Sequence, residues 1–257
     1  MTRFDQFTFV LVRPKSAGNL GSTARAVKNM GFGDLRLVAP EASPKDNAAH
    51  SMAVHANDVL ARAKIFPTLD AALEDCNLTV GTTCRGGFYR EAVRPLRESA
   101  IELATESTTN RIAMIFGPED TGLTNQELKF CQRLITIPTS AEYASINLAQ
   151  SVILCAYELR MALAHEPRAS EEPRQRAGAT AVNAALERLK EALLAIGFLP
   201  EENPDHLMLA IRGIFGRSGL SPRELEILNG IAKHTKWAAE GGHVTLAAKR
   251  AAGKKLR

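Results

Sequence analysis

In the stretch YASINLAQSVIL, Tyr143 to Leu154, the polar residues Ser145, Asn147 and Gln150 stand at the start of an otherwise apolar helical run. Small hydroxyl and amide side chains there are ordinary helix caps, since they accept hydrogen bonds from the first free amides. Gln150 carries the polar face further into the helix. Two other stretches hold residues of comparable chemistry. In RPKSAGNLGSTARAVKNMG, Arg13 to Gly31, Asn19 and Gly21 allow a tight turn into a helix, with Arg25 about one turn in. Amides exposed at a helix start beside an arginine suit a phosphate or another anion; a plain glycine-rich loop with a surface arginine reads the same way. In IFGPEDTGLTNQEL, Ile115 to Leu128, Gly117 and Gly122 bracket Glu119 and Asp120. Backbone there approaches a ligand while a carboxylate faces it, or the stretch is a turn entering a capped helix. G-N-L-G lacks the Gly-x-Gly of a dinucleotide fingerprint and the Gly-Lys-Ser/Thr end of a phosphate-binding loop.

Each stretch follows a short apolar run of the kind that forms a buried strand: FTFVLV (Phe7–Val12), IAMIF (Ile112–Phe116) and LITI (Leu134–Ile137). LRLV (Leu35–Val38), KIF (Lys64–Phe66) and LTVGT (Leu78–Thr82) read alike. Helical patterns lie between them, around Leu20–Met30, Ala48–Leu60, Leu69–Leu73, Ser99–Ala104, Thr124–Cys131 and Asn147–Ala164. This alternation predicts an α/β fold with a largely parallel sheet covered on both faces, whose ligands sit beyond the carboxyl ends of the strands. IPTSAE places the third loop beside the strand of the second. Thr124 and Glu127 fit a capping box, so a helix starts just after GPEDTGL.

The chain divides into a main domain over 1–165, a polar linker over 166–178 and a helical extension over 179–257. Helices are expected over Ala179–Ile196, Asn203–Phe215 and Ser221–Ala239, with Asn203-Pro204 and Ser221-Pro222 as starts. The extension is too small to bury much surface alone. Residues 1–165 hold 17 Lys+Arg against 17 Asp+Glu, and 166–257 hold 15 against 11, so the whole formal excess of +4 lies in the C-terminal part, ending in AAKRAAGKKLR. That arrangement suits a polyanion such as RNA, or a solvated basic tail. No apolar run is long enough to span a membrane, and MTRFDQFTFVLVRP is unlike a signal peptide, so the expected location is cytoplasmic with no membrane partner. The four scattered cysteines form no C-x-x-C pair, and no metal site is expected.

Taken together, AGNLGSTARAVKNMGFGDLRLVAP, DVLARA, VGTT, IFGPEDTGLTNQEL and IPTSAEYASINLAQSVILCAYELRM closely resemble the SPOUT class of RNA methyltransferases, in its TrmJ-like tRNA ribose methyltransferase subgroup. The segments cover most of 7–161 in the family's order, and IGFLPEENPDHLMLAIRGIFGRSGLSPRELEILNGI carries the likeness into the extension. The resemblance implies a trefoil-knotted domain, a homodimer, S-adenosylmethionine as methyl donor, and transfer to a ribose 2′-hydroxyl. Its implied acceptor is tRNA at the anticodon-loop nucleotide 32, a cytidine or uridine, with rRNA or a non-catalytic RNA-binding scaffold as alternatives. By position it implies donor contacts at Thr82, Thr83, Cys84, Gly117, Ile137, Ala144, Ser145 and Ile146. The key role falls on Arg25, reaching the partner protomer's donor and supported by Asn19, Glu119, Ser145 and Asn147. A guanidinium is effectively always protonated. Arg25 is therefore either a strongly perturbed base or a phosphate anchor that orients the 2′-oxygen. After VGTT the chain reads CRGGFYREAVRPLRE, Cys84 to Glu98, where the subgroup more usually has an Arg/Ser-containing stretch and a Trp-Pro pair. A flexible aromatic loop of this kind can stack on a nucleotide.

Overall fold

A computed structural model describes residues 2–84, 93–164 and 174–242. Most of the divergent loop after Thr83, residues 166–173 of the expected linker and the basic tail lie outside the described residues. The alternation of apolar runs produces seven parallel strands: β1 Phe7–Val12, β2 Asp34–Val38, β3 Lys64–Phe66, β4 Leu78–Thr82, β5 Arg94–Pro95, β6 Ile112–Phe116 and β7 Arg133–Thr136, in the order β3-β2-β1-β6-β4-β7-β5. In β1 all six residues are buried, with Phe7, Phe9 and Leu11 on one face and Val10 and Val12 on the other. A strand buried on both sides needs no polar alternation, which is why it reads as a continuous apolar run.

The helices are α1 Ala17–Asn29, α2 Asn47–Ala53, α3 Asn57–Arg62, α4 Leu69–Ala72, α5 Leu96–Glu106, α6 Asn125–Leu128, α7 Leu148–Ala164, α8 Ala179–Ala195, α9 Pro204–Ser218 and α10 Pro222–Trp237. The larger core packs α1, α5 and α7 on one face of the sheet; α4 and α6 cover the other.

Several expectations change. The expected helix Ala48–Leu60 is broken, because Val54 takes φ 53° and the Asn57 amide donates to the Val54 carbonyl at 2.7 Å, ending α2 and starting α3 one turn later. β5 went unread: it is two residues long, and its proline is tolerated because the strand is an edge. β4 lies between β6 and β7, so the third loop's strand is not the direct neighbour of the second's. β7 also ends one residue early, which releases Ile137 from the sheet.

The helical extension has its own small core, with Leu186 and Leu189 of α8 against Leu225 and Leu228 of α10. Ser221 opens α10 with a full capping box, whereas the Asn203 side chain caps nothing and Asp205 of α9 instead pairs with Lys129 and Lys190 at 2.7 Å each. Residues 174–178 pin the extension to the sheet: the Arg176 amide donates to Asn110 Oδ1 at 2.9 Å, and its buried guanidinium reaches Glu106 at 2.5 Å. A Cβ on Gly216 would collide with the Gln132 carbonyl oxygen, so glycine there lets α9 lie directly on the backbone leading into β7.

Candidate donor and acceptor site

The strand order reverses direction at β1 and β6, the place where open α/β sheets leave a crevice. Beyond the carboxyl ends of β4, β6 and β7 lies a cavity of about 340 Å³. Its wall includes Thr82, Thr83, Cys84, Gly117, Ile137, Ala144, Ser145 and Ile146, together with Glu119. Ile137 is there because β7 stops at Thr136. Gly117 is there because the loop closes on itself: the Gly122 amide donates to the Pro118 carbonyl at 2.9 Å, Gly122 takes φ 62°, and a Cβ on Gly117 would overlap the backbone of Gly122 and Leu123.

The loop is held from both ends. Thr124 and Glu127 form the expected capping box, with the Thr124 amide donating to Glu127 Oε2 at 2.8 Å. The other carboxylate oxygen of Glu127 accepts from Arg13, and Lys15 pairs with Asp120 at 2.7 Å, so the loop after β1 is clamped to the loop after β6. Sequence reading missed Arg13 and Lys15, whose partners lie more than a hundred residues away, and also Ser151 of α7, which completes the wall.

Asn19, Glu119 and Asn147 meet across this clamp. The Asn19 side-chain amide donates to Glu119 Oε1 at 2.8 Å, and that of Asn147 donates to Asn19 Oδ1 at 3.0 Å. Asn147 also caps α7, its Oδ1 accepting from the amides of Ala149 at 2.9 Å and Gln150 at 3.3 Å. Glu119 additionally accepts from the amides of Lys15 at 3.0 Å and Ser16 at 3.1 Å. Burial pushes its carboxyl up, but the bonds from Asn19, Lys15 and Ser16 outweigh this and hold it below the usual carboxylate range. The anion at the start of α1 is thus the protein's own. The expected turn at Asn19 and Gly21 is likewise corrected: Ser16 is the N-cap, both residues are inside α1, and a Cβ on Gly21 would strike the Ala49 carbonyl of α2. That glycine serves a close helix contact and no turn.

Ser145 is exposed on the cavity wall. Arg25 is exposed on α1, outside the wall of this cavity, with no ion pair among the described residues.

Residues 6–157 match the model of the SpoU rRNA Methylase family, and residues 180–244 match the C-terminal domain of the tRNA methyltransferase TrmJ. The chain belongs to the SpoU methylase family. The tRNA (cytidine/uridine-2′-O-)-methyltransferase TrmJ of Escherichia coli (strain K12) is 38% identical over 226 residues, covering 86% of this chain and 92% of that relative. Among solved structures, TrmJ from Z. mobilis ZM4 superposes with a TM-score of 0.74 at 29% identity, over 88% of this chain and 97% of that one. The SpoU methyltransferase AviRb from Streptomyces viridochromogenes, solved with AdoMet, shares the fold at a TM-score of 0.50 and 20% identity, over 61% of this chain and 58% of that one. Within this SpoU fold the clamp between the loops after β1 and β6 sits at the rim of the cavity.

Proposed function

We propose that the protein transfers a methyl group from S-adenosylmethionine to the 2′-hydroxyl of a cytidine or uridine at nucleotide 32 of the tRNA anticodon loop. The observation that carries this reading is the side-chain chain Glu119, Asn19, Asn147, which joins the loops after β6, β1 and β7 at the rim of a cavity lined by all eight expected donor contacts. The cavity's size suits a nucleoside-sized molecule, and its wall mixes Ile137, Leu123 and Leu148 with the polar Thr82, Thr83 and Ser145. Bound there, the donor supplies a methyl group already activated on a sulfonium.

The protein's own work is then to hold the acceptor hydroxyl in line and to handle its proton. Glu119 is a poor proton acceptor, because both carboxylate oxygens already receive N–H donors; it positions Asn19, and Asn19 positions Asn147. A guanidinium in water is charged, so the role that fits Arg25 is to anchor a phosphate and orient the 2′-oxygen, the proton leaving to a phosphate oxygen or water. Arg25 lies outside its own chain's cavity wall, which supports its serving the cavity of a partner protomer. A homodimer fits one further observation. On α7, Leu154, Tyr157 and Met161 are 40%, 46% and 42% exposed and lie on one helical face, an apolar stripe that a second copy would cover. The knotted threading of the chain belongs to the same reading.

The test is methyl transfer from labelled donor to unmodified tRNA, with mapping of the modified nucleotide. A 2′-O-methyl mark in the anticodon loop is expected; absence of both transfer and donor binding would overturn the reading. Arg25→Ala should lower transfer by about a hundredfold or more while donor affinity is retained. The family's rRNA description favours rRNA as the second acceptor, and the match at 180–244 favours tRNA; rRNA fragments therefore belong in the same assay.

A further inference from the structure

A second cavity, of about 320 Å³, opens where α9 crosses the sheet edge formed by β7 and β5. Arg94, Arg133, Arg212 and Arg217 reach its wall, and among the described residues Glu102 is the one carboxylate there. Arg94 pairs with Glu102 at 2.6 Å, Arg133 with Glu106 at 3.0 Å and Arg212 with Glu187 at 2.7 Å. Glu106 is shared with Arg176 at 2.5 Å, so four guanidinium groups pair with three carboxylates. Arg217 is exposed and has no ion pair among the described residues. Burial, and then the neighbouring Arg176, push Arg133 below the ordinary arginine range.

The arrangement depends on the docking of the two units. Gly216 lets α9 reach the Gln132 backbone, bringing Arg212 and Arg217 opposite Arg94 and Arg133. Gly213, one turn before Arg217, leaves the wall open: a Cβ there would meet only Arg217 Nη1, at 3.7 Å. Planar guanidinium forks around one cleft match a tetrahedral oxyanion, which several of them can bind bidentately. β7 runs between the two cavities, since Arg133 opens the strand and Ile137, just past its end, lines the first; the rise of a strand puts them ~13 Å apart. One RNA strand can span that distance.

We propose that this seam cavity is a phosphate-binding site that takes a backbone phosphate of the acceptor RNA, an inference that rests on the tRNA reading above. Free inorganic phosphate is the other source of the same chemistry. The test uses the full chain with Arg217→Ala and Arg217→Glu, since Arg217 is exposed and has no ion pair among the described residues. Three measurements are made: tRNA affinity at several salt concentrations, donor affinity, and calorimetric titration with inorganic phosphate. Arg217→Ala should weaken tRNA binding about fivefold and reduce the salt slope by about one, with Arg217→Glu weaker still. Donor affinity and melting temperature should stay unchanged. Unchanged tRNA affinity, with phosphate binding in the wild type that Arg217→Glu removes, would overturn the RNA source and leave a free-phosphate site. No effect in either titration would overturn the site. A wild type that binds no tRNA would overturn the acceptor reading, and the phosphate titration would then judge the cavity alone.

Discussion

Asn147 performs two tasks with one side chain: its carbonyl oxygen caps α7 while its amide reaches Asn19 on α1. A residue that only capped would leave its amide to solvent, whereas here the second bond ties the start of α7 to α1. Glu119 shows a similar economy, because a carboxylate satisfied by three donors fixes a loop and leaves little basicity for chemistry. Gly117 gives the sharpest prediction at this scale. Its Cβ would overlap backbone atoms of Gly122 and Leu123, which cannot move aside as a side chain could. Gly117→Ala should lower donor affinity by about tenfold or more and reduce the melting temperature by several degrees, measured by calorimetry and thermal melts.

At the scale of elements, α1 is held against α2 by a glycine contact and against the sheet by buried Leu20, Ala24 and Val27. Gly21→Ala should force the Ala49 carbonyl and the Ala53 amide of α2 outward and cost ~1–3 kcal/mol in denaturant unfolding. On β2, buried Arg36 pairs with Asp34 at 3.0 Å and Asp75 at 2.6 Å. The Arg36 hydrogen bond holds the Asp75 carboxyl down at about 2. A carboxyl depressed in the folded state adds stability that is present above its unfolded value, near 3.9, and is lost as pH falls through the folded one. Stability should therefore decline from about pH 4 to about pH 2 in the native protein, and Asp75→Asn should flatten that part of the curve. Urea melts at stepped pH would read the difference.

For the whole molecule, the extension and the sheet domain are joined by polar anchors around Glu106, Asn110 and Asp205 and by the close approach of Gly216. They bring arginines from both units to one seam. The apolar stripe on α7 belongs to the same scale. Leu154→Asp should leave the single chain folded, since Leu154 is 40% exposed, yet yield monomers in sedimentation and abolish transfer, because Arg25 then has no partner cavity to serve. A variant that remains dimeric would locate the interface elsewhere.

Local chemistry was legible from residues alone. The bounds of β1, β4 and β6, the capping box at Thr124, the helix start at Ser221 and the grouping of loops at strand ends all follow from short-range apolar patterning and side chains that bond within three positions. The eight donor contacts came from the family resemblance, and those eight residues line one cavity. Contacts between residues far apart in the chain were decided only by the fold: Arg13 with Glu127, Lys15 with Asp120, and Asn19 with both Glu119 and Asn147. The reason is physical. A charge or amide carries no periodicity that points to a partner a hundred residues on, and a glycine that permits a turn looks the same in sequence as one that admits another helix. For Gly21, α2 settled that choice, and for Gly216 the backbone of Gln132 did.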